Sequence, residues 1–130
     1  MSAREDNLAL LRRYCDAWLR GDTATLVGCY HDEIALHWHG RSALAGAHRG
    51  KRAALEALAA QSKRVRRTPL EVRDLLASDE HAVALTRERF ERDGRSVELE
   101  RVLVYRVRDG KLAECFVFDR DAALVDELLA

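Results

Sequence analysis

The sequence has no excess of either charge, since 22 Lys and Arg residues balance 22 Asp and Glu residues over 130 positions. A neutral chain has no electrostatic reason to bind nucleic acid or an anionic membrane, so we expect neither as a partner. Long hydrophobic runs are absent, and residues 1–6 are hydrophilic. We therefore expect no signal peptide, no membrane anchor and a cytoplasmic location.

Cysteine and proline are also scarce. The three cysteines, Cys15, Cys29 and Cys115, are widely spaced within apolar patterns, which favours buried reduced thiols over a disulfide or a zinc site. Pro69 is the single proline, and neither internal repeats nor Pro/Gly/Ser-rich linkers interrupt the chain. The length therefore predicts one domain, residues 1–130.

A strand-rich segment, residues 83–118, contains two Asp-Gly pairs at 93–94 and 109–110. Asp-Gly favours two-residue hairpin turns, because both central residues of such turns need positive φ. A two-residue first turn pairs Arg89 with Glu98 and Arg87 with Glu100. These opposite charges face each other across the strands, which supports the predicted register.

The same rule applied to the second turn pairs Tyr105 with Glu114, Leu103 with Phe116 and Arg101 with Phe118. Alternation then collects ring-bearing and charged side chains on one face of the sheet: Glu88, Phe90, Arg101, Leu103, Tyr105, Glu114, Phe116 and Phe118. Such a mixed face suits a ligand cavity, with Glu88, Arg101 and Glu114 forming a partly buried charge network. The opposite face is rich in valine, and we expect a second copy of the chain to cover it as a homodimer.

The remaining segments show helical and strand periodicities in turn. They predict a helix over 6–20, a short helix ending at Gly28, a strand over 33–39 and a loop over 40–50. A helix over 51–64, a strand over 70–77 and a terminal helix that begins after Asp119 or Asp121 complete the order. This order predicts an α+β fold with helices gathered on one face of a curved sheet.

Three strings carry a resemblance to a known family: HWHG at 37–40, LAGAHRG at 44–50 and LAECFVF at 112–118, the last followed by Asp121. With the element order, they resemble the NTF2-like superfamily of ketosteroid isomerases, scytalone dehydratase and SnoaL-like polyketide cyclases. The strings are most similar to those of small bacterial SnoaL-like proteins. The resemblance implies a cone-shaped α+β barrel, whose curved, mostly antiparallel sheet carries helices on its concave face.

The resemblance also implies site residues. It places His37 where ketosteroid isomerases carry their general base, and Tyr14 near their oxyanion-hole tyrosine. A SnoaL-like cyclase would use an acidic residue near Asp119 as acid/base, although helix capping is the alternative role. Histidine can take and return a proton near neutral pH, so we predict His37 as base and Tyr14 as hydrogen-bond donor. The predicted substrate-binding residues are Trp18, Trp38, His39, His48, Arg101, Tyr105, Phe116 and Phe118.

Two functions remain open from the sequence. The first is a cofactor-free isomerase, cyclase or dehydratase acting on a small apolar or carbonyl-bearing molecule. The second is a ligand-binding or association module that uses the same fold without turnover. The two differ in one geometric respect, which is whether His37 and Tyr14 open onto one shared cavity.

The histidines and a short basic run could suggest a metal site and a nucleic-acid site, but we predict neither. His37 and His39, with His31 or His48, could gather around zinc, but a lone His-x-His spacing is a weak motif and we predict no metal. The basic run at residues 63–67 lacks interleaved aromatic residues, so we interpret it as a solvated connection rather than a nucleic-acid site.

Overall fold

The structure, a computed structural model, describes residues 2–130. Four helices and six strands follow one another as α1 (Ala3–Arg20), α2 (Thr23–Gly28), β1 (Tyr30–Trp38), β2 (Gly46–Arg49), α3 (Lys51–Arg64), β3 (Arg66–Ala77), β4 (His81–Arg92), β5 (Arg95–Arg108), β6 (Lys111–Asp119) and α4 (Ala122–Leu129). None of the helices within residues 2–130 is both long enough and apolar enough to cross a membrane.

The six strands form one curved sheet in the order β2-β1-β6-β5-β4-β3, with β2 and β3 as its free edges. All neighbouring strands are antiparallel except β1 and β6, which run parallel. Helix α1 packs on β3 and β4, α3 packs on β1, and α4 packs on β6. The predicted α+β fold with helices on the concave face is confirmed, and the main core lies between these helices and the sheet.

The predicted register of the first hairpin is confirmed. Strand β4 pairs with β5 so that Arg89 faces Glu98 and Arg87 faces Glu100. The turn residues Asp93 and Gly94 have φ of 51° and 79°, the positive values that an Asp-Gly hairpin turn requires. Local turn chemistry and cross-strand charge together define this part of the sheet.

The predicted register of the second hairpin is wrong beyond its first pairs. Val107 faces Leu112 as expected, but the next partner of β5 is Glu114, opposite Arg106, so Ala113 is an extra residue on β6. This β-bulge shifts every later pair by one residue and exchanges the two faces of β6. The observed pairs are Tyr105 with Cys115, Leu103 with Val117, and Arg101 with Asp119.

Several element boundaries also differ from the prediction. Strand β2 lies inside the predicted loop 40–50, because four residues are too few to show a period. Strand β1 begins at Tyr30 rather than Glu33, and β3 begins at Arg66 rather than Leu70. Pro69 is accommodated within β3 because β3 is an edge strand. Of the two candidate caps, Asp121 caps α4 by accepting a hydrogen bond from the Leu124 backbone N–H.

Candidate functional site

A cavity of about 120 Å³ lies between the concave face of the sheet and helices α1, α2 and α3. Its lining is mostly apolar and aromatic, as expected for a small-molecule site. An apolar cavity of about 150 Å³ holds one benzene molecule, so this smaller cavity has room for no more than about one ring. Five residues predicted for the site line it: Tyr14, Trp18, Trp38, Arg101 and Tyr105.

Three buried tyrosines form a polar cluster on this lining. Helix α1 presents Tyr14, whose hydroxyl lies 2.6 Å from the Tyr30 hydroxyl at the start of β1. The Tyr105 ring packs edge-on against the Tyr14 ring, with centroids 5.5 Å apart. Burial raises the pKa of all three phenols, so they stay protonated at neutral pH. In the close pair one hydroxyl donates to the other, and the acceptor keeps its own O–H as a donor.

The thiols on the cavity wall are also neutral. Burial raises the pKa of Cys15 and of Cys115 to about 12, so neither forms a thiolate at neutral pH. All three cysteines of the chain are buried and unpaired. They act as small apolar side chains here, in agreement with the pattern in which the sequence places them.

A chain of polar side chains crosses the sheet beside the cavity and joins α3 to β6. The Gln61 Oε1 accepts a hydrogen bond of 2.9 Å from Arg67. Arg67 also donates two hydrogen bonds, of 2.7 and 3.1 Å, to one carboxylate oxygen of Glu88. The other oxygen of Glu88 lies 3.5 Å from Arg101, and Arg101 donates through its Nε to Asp119 at 2.5 Å.

The two cations of this network are balanced by two carboxylates. Glu88 is fully buried, and burial alone would raise its pKa, but the charges and hydrogen bonds of Arg67 and Arg101 lower it below the ordinary range. Asp119 balances Arg101 from the other side. The network therefore presents no net charge to the cavity, and Glu88 is held as an ionised carboxylate rather than as a base that takes up protons.

The composition of the predicted network is partly wrong. Glu88 and Arg101 are in contact as expected, but the bulge turns Glu114 to the opposite face of the sheet, where it lies 3.5 Å from Arg106. Asp119 takes its place in the network. Arg67 joins from β3, so the basic run is not wholly a solvated connection.

The structure places His37 outside the cavity. Along β1, Trp38 faces the helices, so the neighbouring His37 points to the opposite face, where its ring stacks on Phe116 with centroids 4.4 Å apart. His37 and Tyr14 therefore do not open onto one shared cavity. The His39 ring stacks in the same way on Phe118, with centroids 4.9 Å apart. His39, Phe116 and Phe118, all predicted to bind substrate, therefore also lie on the outer face.

The last two predicted site residues do not line the cavity either. Asp119 neither caps α4 nor faces the cavity, and instead holds Arg101 in position. The His48 ring nitrogen Nε2 lies 2.7 Å from the Leu44 carbonyl oxygen, in the segment around β2. Within residues 2–130, no group of three His, Cys, Asp or Glu side chains gathers as a metal site.

Three polar residues on the lining were missed from the sequence: Tyr30, Gln61 and Arg67. Gln61 had a readable signal, because it lies four residues after Ala57 and so falls on the apolar stripe of α3. Tyr30 is in phase with Ile34 and Trp38, but the predicted strand began too late to include it. The position of Arg67 on the cavity lining could be predicted only if the register of β3 were known.

Similarity to solved structures defines the fold. The chain has an NTF2-like fold, which it shares with an NTF2-like protein from Burkholderia xenovorans LB400 at 23% identity, with 98% of each chain covered and a TM-score of 0.77. A protein of unknown function from Xanthomonas campestris, described as having a cystatin-like fold, is 21% identical over 100% of this chain and 99% of that one, with a TM-score of 0.89.

The sequence itself identifies the family. The chain belongs to the SnoaL-like domain family, whose model matches residues 11–115. A third similar structure is TerC, which was co-crystallised with polyporic acid; it is 15% identical over 96% of this chain and 99% of that one, with a TM-score of 0.82. No curated protein matches the sequence.

Proposed function

We propose that this SnoaL-like protein binds a compact, neutral, mostly apolar molecule in the cavity under α1 and α3, and holds it by hydrogen-bond donors without proton transfer. One observation carries the proposal. Within residues 2–130, the side chains that line the cavity include no carboxylate and no imidazole, and its phenols and thiols stay protonated at neutral pH. A site without a group that takes up a proton near pH 7 is poorly equipped for general acid/base catalysis.

The charge balance supports a neutral ligand. Arg67 and Arg101 are the cations on the lining, and Glu88 and Asp119 already neutralise them. A third carboxylate, brought by a ligand, would gain little from guanidinium groups that are already paired. A carbonyl or hydroxyl oxygen suits the free O–H of the tyrosine cluster better. In this binding role Tyr14 serves as a donor that orients the ligand.

TerC, a protein of similar fold, was co-crystallised with polyporic acid, which supports a ligand-binding role for this fold but not the charge of the ligand. The alternative of an acid/base isomerase, cyclase or dehydratase with His37 as base has weaker support, since His37 and Tyr14 lie on opposite faces of the sheet.

The outer face of the sheet supports a homodimer as the assembled form. Val102 and Phe118 face each other across β5 and β6 and are 36% and 47% exposed. Large adjacent apolar side chains at this exposure mark an association surface, and a second copy of the chain is the simplest cover. A cytoplasmic location completes the proposal, since three unpaired thiols suit a reducing compartment.

The experiment is a titration with acetophenone, a single benzene ring that carries a carbonyl group. Both tryptophans of the chain, Trp18 and Trp38, line the cavity, so their fluorescence reports its occupancy directly. We expect saturable quenching in the wild-type protein. The Ala54→Phe substitution fills the cavity and should abolish it, whereas Ala59→Phe on the exposed side of α3 should not. Equal quenching in both folded variants would refute the proposed site.

A further inference from the structure

The Gln61 side chain has an unusual position on the cavity wall. It lies in the last turn of α3, is 0% exposed and lines the cavity. Its Nε2 is buried and has no hydrogen-bond partner among residues 2–130. A buried amide N–H without an acceptor is destabilising, so such groups are rare in folded proteins and call for an explanation.

The neighbouring arginine determines which end of the amide is unpaired. An asparagine or glutamine amide can be turned over, and the exchange of O and N usually has to be decided from its partners. Here the partner is Arg67, and a guanidinium group has only donors. The Gln61 Oε1 must therefore face Arg67, which leaves the NH₂ group as the free end.

The rest of the polar network prevents this arrangement from relaxing. Arg67 is held by its two hydrogen bonds to the buried carboxylate of Glu88. Glu88 is held in turn by Arg101, and Arg101 by Asp119. Rotation of Gln61 toward another acceptor would break its hydrogen bond to Arg67. Arg67 cannot follow the rotation, because its own contact with Glu88 holds it in place. The contacts of Gln61 Oε1 and Arg67 thus hold the unpaired Nε2 donor beside the cavity.

We propose that Gln61 is the specificity-determining residue of the cavity, and that its Nε2 donates a hydrogen bond to a carbonyl-type acceptor on the bound molecule. This inference rests on the proposed binding function and adds the chemical class of the ligand, a compact ring compound with an acceptor oxygen. A molecule of the same shape without that oxygen leaves the Gln61 amide buried and unpaired, and the site rejects it for that reason.

The test compares two probes of nearly the same shape. Acetophenone carries a C=O group where α-methylstyrene carries C=CH₂, so the pair isolates the acceptor. We expect the wild-type protein to bind acetophenone about tenfold more tightly than α-methylstyrene, because only acetophenone can accept the hydrogen bond of the buried Gln61 amide. Tryptophan fluorescence provides both dissociation constants.

Two variants separate recognition from structural support. Gln61→Glu keeps an oxygen acceptor for Arg67 but removes the donor, and Gln61→Met removes both at similar length. Both should lose most of the preference for acetophenone, with the tyrosine O–H as the remaining donor, while α-methylstyrene binds with little change; thermal melting verifies that each variant is folded. If Gln61→Glu keeps the preference, or if the wild-type protein has none, the inference is wrong. Failure of both probes to bind would instead refute the proposed function, and the inference with it.

Discussion

The charge network beside the cavity makes a quantitative prediction about Glu88. The Glu88→Gln substitution keeps the size of the side chain but removes one of two negative charges, so Arg101 keeps its contact with Asp119 while Arg67 loses its carboxylate partner. Breaking a buried ion pair from one side costs about 3–5 kcal/mol. Gln retains one carbonyl acceptor, so we expect the lower end of this range, a fall in Tm of about 10 °C for a chain of this size.

The assay is urea and thermal unfolding followed by tryptophan fluorescence, with Glu98→Gln as the matched control. Glu98 is 51% exposed and pairs with Arg87 at 2.8 Å on the outer face, where an ion pair adds little to stability. The control should leave Tm nearly unchanged. A Glu88→Gln protein as stable as the control would show that the buried network contributes nothing measurable, and would refute the reasoning.

The pH dependence provides a second readout of the same prediction. Because the pKa of Glu88 is lower in the folded state than in the unfolded chain, its ionised form stabilises the fold at pH values above the ordinary glutamate pKa of 4.5. That stabilisation is lost as pH falls below 4.5 toward the lower folded-state pKa. The difference in unfolding free energy between wild type and Glu88→Gln should therefore shrink as pH is lowered from 6 to 3.

Three further predictions follow from particular residues. His37→Ala should leave the affinity for acetophenone unchanged in a fluorescence titration, because His37 lies on the outer face; a tenfold loss would contradict its placement. Gly94→Ala should reduce the unfolding free energy by about 1 kcal/mol because φ is 79° there, whereas Gly28→Ala, at a position without positive φ, should not. If the proposed dimer forms, Phe118→Asp should convert it to a monomer in light scattering while Leu19→Asp on α1 does not, and a monomeric wild-type protein would refute the proposed dimer.

The first hairpin could be predicted because its information is local. The Asp93-Gly94 turn fixes the loop length, and the Arg89–Glu98 pair falls into register without adjustment. The second hairpin has the same turn signal, yet one residue, Ala113, adds a bulge that no local pattern marks. Since side chains alternate, that single residue exchanges the faces of β6 and moves Phe116 away from the cavity.

The candidate site also has a part that local sequence patterns predict and a part that they do not. Alternation along β1 separates Trp38 from His37, so a site that used both could not lie on one face of the sheet. Tyr14 and Arg101 line the cavity, and their positions could be anticipated because the periodicity of their own elements places them on that side. The partners of Arg101 come from β4 and β6, and the partner of Gln61 comes from β3. Contacts between distant strands depend on register and tertiary packing, which the sequence pattern alone does not determine.

The most direct test of the account is an NMR experiment on acetophenone with the protein in D₂O near neutral pH. We predict that the indole resonances of Trp18 and Trp38 shift in a saturable manner while the methyl group next to the carbonyl exchanges its protons no faster than in buffer. That result would mean that the cavity holds a carbonyl compound without deprotonating it. Protein-accelerated deuterium incorporation, lost on Ala54→Phe, would contradict the account and identify an acid/base enzyme.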